Sequence, residues 1–545
     1  MYFSFASMNS IMFYIKKLLW STLVVILIAS CSGVKKYNEQ ITALHSVESM
    51  RADIDQLYAQ LQKNHPKLYQ YTPKEVLDFK FDSLKSTIRT PITSRELYKK
   101  LAPVVANVRQ GHISMGSANK HYTKRERKAL KQQKFEFYDL DFEFVDHKLW
   151  VKKSLGKDSL IAGSEVIKIA DEPAEDLVKL YKSRFSSDGF NKTLYDRYVG
   201  KVFPALYYKD KGFVDSLTVT FKLKDSVFNK TFRRVQKDKK QDAKSNDSVP
   251  SVKKPKPSKE ENRIQRHIAK NEKRYNRIHG FISREKNYTR NFNFLEADSS
   301  VAYMKIRAFG NGNYRKFYKE CFAKLDSAKT KNLIIDLRDN GGGRVSEIDY
   351  LYSFLANKDY QLVKESQVNS RLPYFNYLMS KSQPNLLKVA SGILSPFIMI
   401  HDLLKTKKHD GNIYYKLRFS KEKQPKTALH YNGNLYVIIN GNSFSASSLL
   451  ATHLKATKRA IFVGEETGGA YNGCVAGIYK IYELPTSKLN IRMGLMQMET
   501  PYKQNPDGYG VKPDIKITPT SDDLTSKTDP ELEWILATIK NNKNP

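Results

Sequence analysis

The run Leu435-Tyr436-Val437-Ile438-Ile439 leads across Asn440-Gly441 into Asn442-Ser443-Phe444-Ser445-Ala446-Ser447-Ser448. Apolar, β-branched residues in an unbroken row read as a buried strand. An apolar helix is expected to begin near Leu449. Ser445 therefore falls at a tight strand-to-helix turn. A serine there can point its hydroxyl outward, and the helix N-terminus leaves backbone N–H groups without intrahelical partners. An exposed oxygen and nearby donors for negative charge are the two needs of a nucleophile. Serine is also a preferred helix N-cap, and taken alone the cap is the simpler reading. The rest of the chain decides between them.

The surrounding pattern alternates strands and helices. Val301–Ile306 reads as a strand and Tyr314–Leu325 as an amphipathic helix. A second buried strand, Asn332–Arg338, runs into Asp339-Asn340-Gly341-Gly342-Gly343. This order predicts an α/β core. The glycine turn lacks the Gly-Lys-Ser/Thr ending of a phosphate loop and the spacing of a dinucleotide fingerprint. A ligand-facing turn fits better. One N–H from Gly341 or Gly342 and the N–H of Ala446 would form the two halves of an oxyanion hole. The stretch 350–432, with its apolar run Leu394–Leu404, interrupts the core. Its length predicts a cap or lid rather than a structureless loop.

Before the core lie three different compositions. From His45 to Val108, apolar residues recur at helical spacing, at Leu57, Leu61 and Leu68, then at Leu84, Leu97, Leu101 and Val105. The segment ends at Gln110-Gly111-His112-Ile113-Ser114-Met115-Gly116, a turn leading into a strand. From Phe135 to Arg234 the chain alternates as strands. Within it, Gly163 to Pro173 followed by a helix Ala174–Tyr181 is similar in order to a PDZ domain, which would take a peptide as an added strand. Residues 237–278 carry 14 Lys and Arg against 6 Asp and Glu, with Pro250, Pro255 and Pro257. That composition reads as a solvated basic linker, with a polar helix from Ile264 to Ile278. A basic run of this kind can also serve as an electrostatic tether to an anionic bilayer.

The 545 residues carry a net charge of +36. No zinc-knuckle spacing, recognition helix or aromatic RNA signature accompanies that charge, so no nucleic-acid partner is expected. Lys16-Lys17, the apolar run Leu18–Ala29 and Ala29-Ser30-Cys31 describe an export signal ending in a lipobox-like cysteine. Cys31 is the expected lipidation site, giving a bacterial envelope lipoprotein that faces the periplasm or cell surface. Cys321 and Cys474 remain, too few for a disulfide framework. No metal-ligand spacing is present, and neither a metal nor a cofactor is expected.

Five motifs now stand in order: Gly111-His112, Asp336 to Gly343, Ser445-Ala446-Ser447, Gly464-Glu465-Glu466-Thr467-Gly468-Gly469 and Gly510-Val511-Lys512-Pro513-Asp514. Together they resemble the tail-specific protease family, which includes C-terminal processing peptidases and tricorn-core-like serine peptidases. The resemblance is thin over the PDZ-like unit and absent over the linker and the 350–432 insertion. It implies a multidomain α/β protein with a crotonase-like or ClpP-like protease core. The implied units are a signal peptide (1–30), a helical region with the histidine motif (31–133) and a PDZ-like unit (134–235). A basic linker (236–290) and the peptidase core (291–545) follow. Processing peptidases use a serine–lysine dyad, with the lysine directly after the Gly-Glu-x-Thr-x-Gly motif. Here that position is Ala470. The histidine-using branch fits instead, with Ser445 as nucleophile and His112 as base. Asp507 stands where that branch has its last acidic member, although Asn505-Pro506-Asp507-Gly508 is also a turn string. The implied substrates are peptides or unfolded protein ends. Retinoid-binding relatives imply an alternative, a non-catalytic binder of peptides or apolar ligands, with Leu394–Leu404 lining its site.

Overall fold

A computed structural model describes residues 33–156, 159–237 and 258–541. The signal segment, Cys31 and the first part of the basic linker lie outside the described residues. Three helices, Val47–Asn64, Lys74–Thr87 and Ser94–Ala106, carry the N-terminal periodicity. Their apolar faces, including Leu57, Leu61, Leu97 and Leu101, are fully buried. They pack on Leu489, Ile491, Met493 and Leu495 of a long hairpin made by Cys474–Glu483 and Asn490–Met498. Ser114–Gly116 joins that hairpin as a third strand, with Ser114 opposite Arg492. A remote N-terminal segment is thereby fixed in register against the C-terminal third of the chain.

The second unit is a seven-stranded antiparallel sheet spanning Gln133 to Gln236. Its apolar face, with Phe142, Val151, Val219 and Phe221, is covered by helices Ala174–Lys182 and Thr193–Lys211. The expected strand–turn–helix order is present, which is compatible with the PDZ-like reading.

The core is a six-stranded sheet. Its order is Arg290–Phe294, Val301–Ile306, Asn332–Asp336, Asn434–Ile439, Ile461–Gly464 and Ile515–Lys516. All neighbours are parallel except the first pair. Asn332–Asp336 is buried at every position, as a central parallel strand with both faces covered must be. Asp336 is in register with Ile438. The glycine turn and the Ser445 turn therefore leave the carboxyl ends of adjacent strands, where open α/β sheets place their ligands.

One expectation changes. The linker gives way early to a helix, Lys259–His279, opened by a Ser258/Glu261 capping box and closed by Gly280 in the left-handed conformation. Of its side chains only Ile278 is buried, against the core. The 350–432 insertion folds into short strands and three helices, Pro373–Leu378, Asn385–Ile393 and Ser395–Lys405.

Candidate active site

Ser445 has φ 58° and ψ −120°, and the helix Ala446–Ala456 starts directly after it. That backbone geometry is rare for a residue with a side chain and costs roughly 1–3 kcal/mol. The turn is held by polar side chains around it. Ser443 Oγ donates to Leu337 O, Asn442 donates to Asp339, and the Phe444 N–H donates to Asn340 O. The serine makes no capping bond to its own helix. Its hydroxyl instead meets the ring of His112, with Oγ 2.9 Å from Nε2. The helix begins three residues before the expected Leu449, which places the Ala446 N–H at its open end.

His112 arrives from the N-terminal unit. Strand Ser114–Gly116 locks the following residues, and a turn bond from Ile113 N to Gln110 O locks the preceding ones. Gly111 lies under the Phe444 ring, where a Cβ would come within 2.6 Å of that ring. The imidazole stacks between Phe444 and Tyr479 and is buried. Burial first, then Arg492 and His65, push its pKa down to about 3. It is neutral at ordinary pH and able to accept a proton.

Nδ1 of His112 is buried and has no hydrogen-bond partner. Asp507 is not placed to supply one. Its Oδ2 accepts from Gln70 and its Oδ1 from the Gly508 N–H. Asp507 connects to the histidine turn through Gln70, which accepts from Gln110. A different carboxylate is brought in. Asp188 is fully buried, its Oδ1 accepts from the Gly111 N–H at 2.8 Å, and its Oδ2 makes no well-formed hydrogen bond. A carboxylate oxygen of Asp188, a ring nitrogen of His112 and the Cys474 sulfur all lie within 4.8 Å of one another. Burial pushes Asp188 up to about 7, against the pull of the Gly111 and Ala470 N–H groups. Ala470, at the family's lysine position, thus contributes backbone to Asp188. The His112, Asp188 and Cys474 donors are the group among the described residues that could hold a metal ion. Chain spacing could not reveal them, because they come from three separate units.

The oxyanion expectation is sharpened. Gly342 donates its N–H to Asn340 Oδ1 at 2.9 Å and is not free for a substrate. Ala446 and Gly341 remain of the three residues expected to supply donors. Gly342 matters for another reason. Its φ is +94°, and a Cβ there would sit 2.7 Å from Ser445 Cβ and 2.8 Å from Ala446 N. Gly342→Ala is therefore expected to displace the nucleophile turn and lower turnover about 10²–10³-fold, the scale of losing an oxyanion donor. Steady-state kinetics with unchanged far-ultraviolet circular dichroism would check this.

The remaining motifs hold these turns. Asp336 binds Lys305, Arg338 and Tyr303, and those cations keep its carboxyl well below the usual range despite burial. Glu465 pairs with Arg197 at 2.6 Å, and the Thr467 hydroxyl accepts from the Val511 N–H. A cavity of about 500 Å³ opens over Ser445 and His112, walled by Phe185, Leu194, Tyr198 and Tyr479. None of its walls comes from the 350–432 insertion. In this arrangement the insertion does not cover the cavity, and Leu394–Leu404 does not line it.

Comparison with known proteins agrees with this picture. Residues 300–517 match the model of Peptidase family S41. The chain thus carries, over those residues, a domain of the S41 family of serine-type peptidases. Mature CPAF complexed with lactacystin superposes with a TM-score of 0.57 at 14% identity, over 91% of this chain and 99% of that one. Mature CPAF alone gives 0.56 at 15% identity, over 92% and 99%. At these identities the likeness is one of fold. No curated protein matches the chain by sequence.

Proposed function

We propose that the chain is a lipid-anchored envelope peptidase that cleaves peptides or unfolded protein ends by acyl transfer. The observation that carries the mechanism is the 2.9 Å contact between Ser445 Oγ and His112 Nε2. His112 takes the hydroxyl proton as Ser445 attacks the scissile carbonyl. The Ala446 N–H, with Gly341, receives the developing oxyanion. His112 then protonates the leaving amine, and water repeats the sequence on the acyl-enzyme. An extended chain would lie across the open cavity, with side chains against its aromatic walls. The anchor rests on the signal-like run ending at Cys31. Digestion of a permanently unfolded protein, with fragments identified by mass spectrometry, tests the activity. Fragments that persist in Ser445→Ala would overturn the mechanism. Fatty-acid incorporation that is lost in Cys31→Ala tests the anchor.

Charging a buried imidazole needs a counter-charge, and Asp188 is the group placed to give it. In this role it is a positioning residue acting through His112 Nδ1. Turnover requires His112 neutral and Asp188 ionised. With His112 down near 3 and Asp188 up near 7, activity should rise with pH on a limb near 7. Asp188→Asn should remove that limb and lower kcat by up to about 10⁴-fold, the effect of making a triad carboxylate an amide. A pH–rate profile unchanged in Asp188→Asn would assign Asp188 a structural role only.

A further inference from the structure

The two helices Asn385–Ile393 and Ser395–Lys405 are built inside out. Leu386, Val389 and Ile393 form an i, i+3, i+7 stripe, and so do Phe397, Ile400 and Leu404. Such stripes ordinarily face a core. Here all six are exposed, from 55% for Ile400 to 82% for Leu386, and Leu394 at the junction is exposed as well. The buried residues of the pair are polar, Ser391 and Asp402. Asp402 Oδ2 accepts the N–H groups of Tyr374 and Phe375 at the start of helix Pro373–Leu378. That bond pins the second helix with its apolar face turned outward. Contiguous exposed apolar surface of this kind marks an interaction site.

We propose that this helix pair docks into the surface of an anionic lipid bilayer. Charge selects the occupant. From Asn385 to Lys408 the chain carries Lys388, Lys405, Lys407 and Lys408, and its single acidic residue is the buried Asp402. A second copy of the same face would set lysine against lysine, whereas anionic headgroups complement them. The pair has the length and composition of a span only when its two helices are taken together across a sharp bend. Its helices have 9 and 11 residues and meet at 78°, and among the described residues no single helix is long and apolar enough to cross a membrane. An apolar stripe edged by lysines lies in the plane of the interface. The docking surface is independent of the peptidase reading and of lipidation at Cys31.

The test places an environment-sensitive dye on Phe397→Cys in the full chain. Cys321 is buried and Cys474 half-buried, and dye on any other thiol is subtracted using the dye-treated parent chain. On vesicles of phosphatidylglycerol and phosphatidylethanolamine, the dye should shift to the blue and be quenched by lipids carrying nitroxides on their acyl chains. Lys405→Glu with Lys407→Glu and Lys408→Glu should reduce that shift. Water-like emission from vesicle-bound chain would overturn the proposal. So would a blue shift without lipid that grows with protein concentration, which would mean a second copy covers the face. Far-ultraviolet circular dichroism and the melting temperature of each variant verify the fold.

Discussion

Replacing His112 by alanine is expected to lower kcat by about 10⁶-fold, and replacing Ser445 by alanine should cost the same. The two groups share one proton at 2.9 Å and act as a unit. The double variant should then be no slower than either single one, with residual activity set by the oxyanion donors and binding. KM should change little, because the contact serves the reacting atoms and the cavity walls stay in place. Single-turnover and steady-state rates on one peptide would measure all three variants. Additive losses would mean that His112 and Ser445 act in separate steps.

The largest effect on stability is expected at Glu347. Arg290 and Glu347 form an ion pair at 2.6 Å in which neither side chain has any exposure. Tyr318 and Arg344 also donate to Glu347, and Arg290 donates to the carbonyls of Gly310 and Asn311. This network ties the first strand of the core to the helix that follows the glycine turn. Glu347→Ala leaves a buried guanidinium without its counter-charge, at a cost of about 3–5 kcal/mol. Typical domains have only about 5–15 kcal/mol in total. Glu347→Ala should therefore lower the melting temperature sharply. Adding Arg290→Met should recover much of the loss, since the orphaned charge goes with it. Differential scanning calorimetry of both variants would show this, and no recovery in the double variant would contradict the argument.

Much of the site was legible because its parts sit in local patterns. The Leu435–Ile439 strand and the turn after it were enough to place Ser445, and the glycine–histidine turn was enough to place His112. Asp188 was not legible. Ser187-Asp188-Gly189 reads as a surface turn, yet Ser187 and Asp188 are fully buried. Only folding brings Asp188 beneath Gly111, where the loop is held by the Gly189 N–H on Arg109 O, the Phe190 N–H on Gly508 O and the Ser186 hydroxyl on Gln110 O. Asp507 does hold its own turn, with one oxygen bonded to the Gly508 N–H and the other to Gln70. The early start of the Lys259–His279 helix did have a sequence signal, the serine and glutamate of its capping box. The 385–405 stripes show the limit of periodicity. It reports that a helix has an apolar face, and not which way that face points.

The account stands on Ser445 being a nucleophile activated by His112. The most direct measurement is reaction of the purified protein with a fluorophosphonate, followed by mass spectrometry of the labelled peptide. The adduct is expected on Ser445, absent in Ser445→Ala and strongly slowed in His112→Ala. Folded protein that takes up no label, or label that survives in Ser445→Ala, would contradict it.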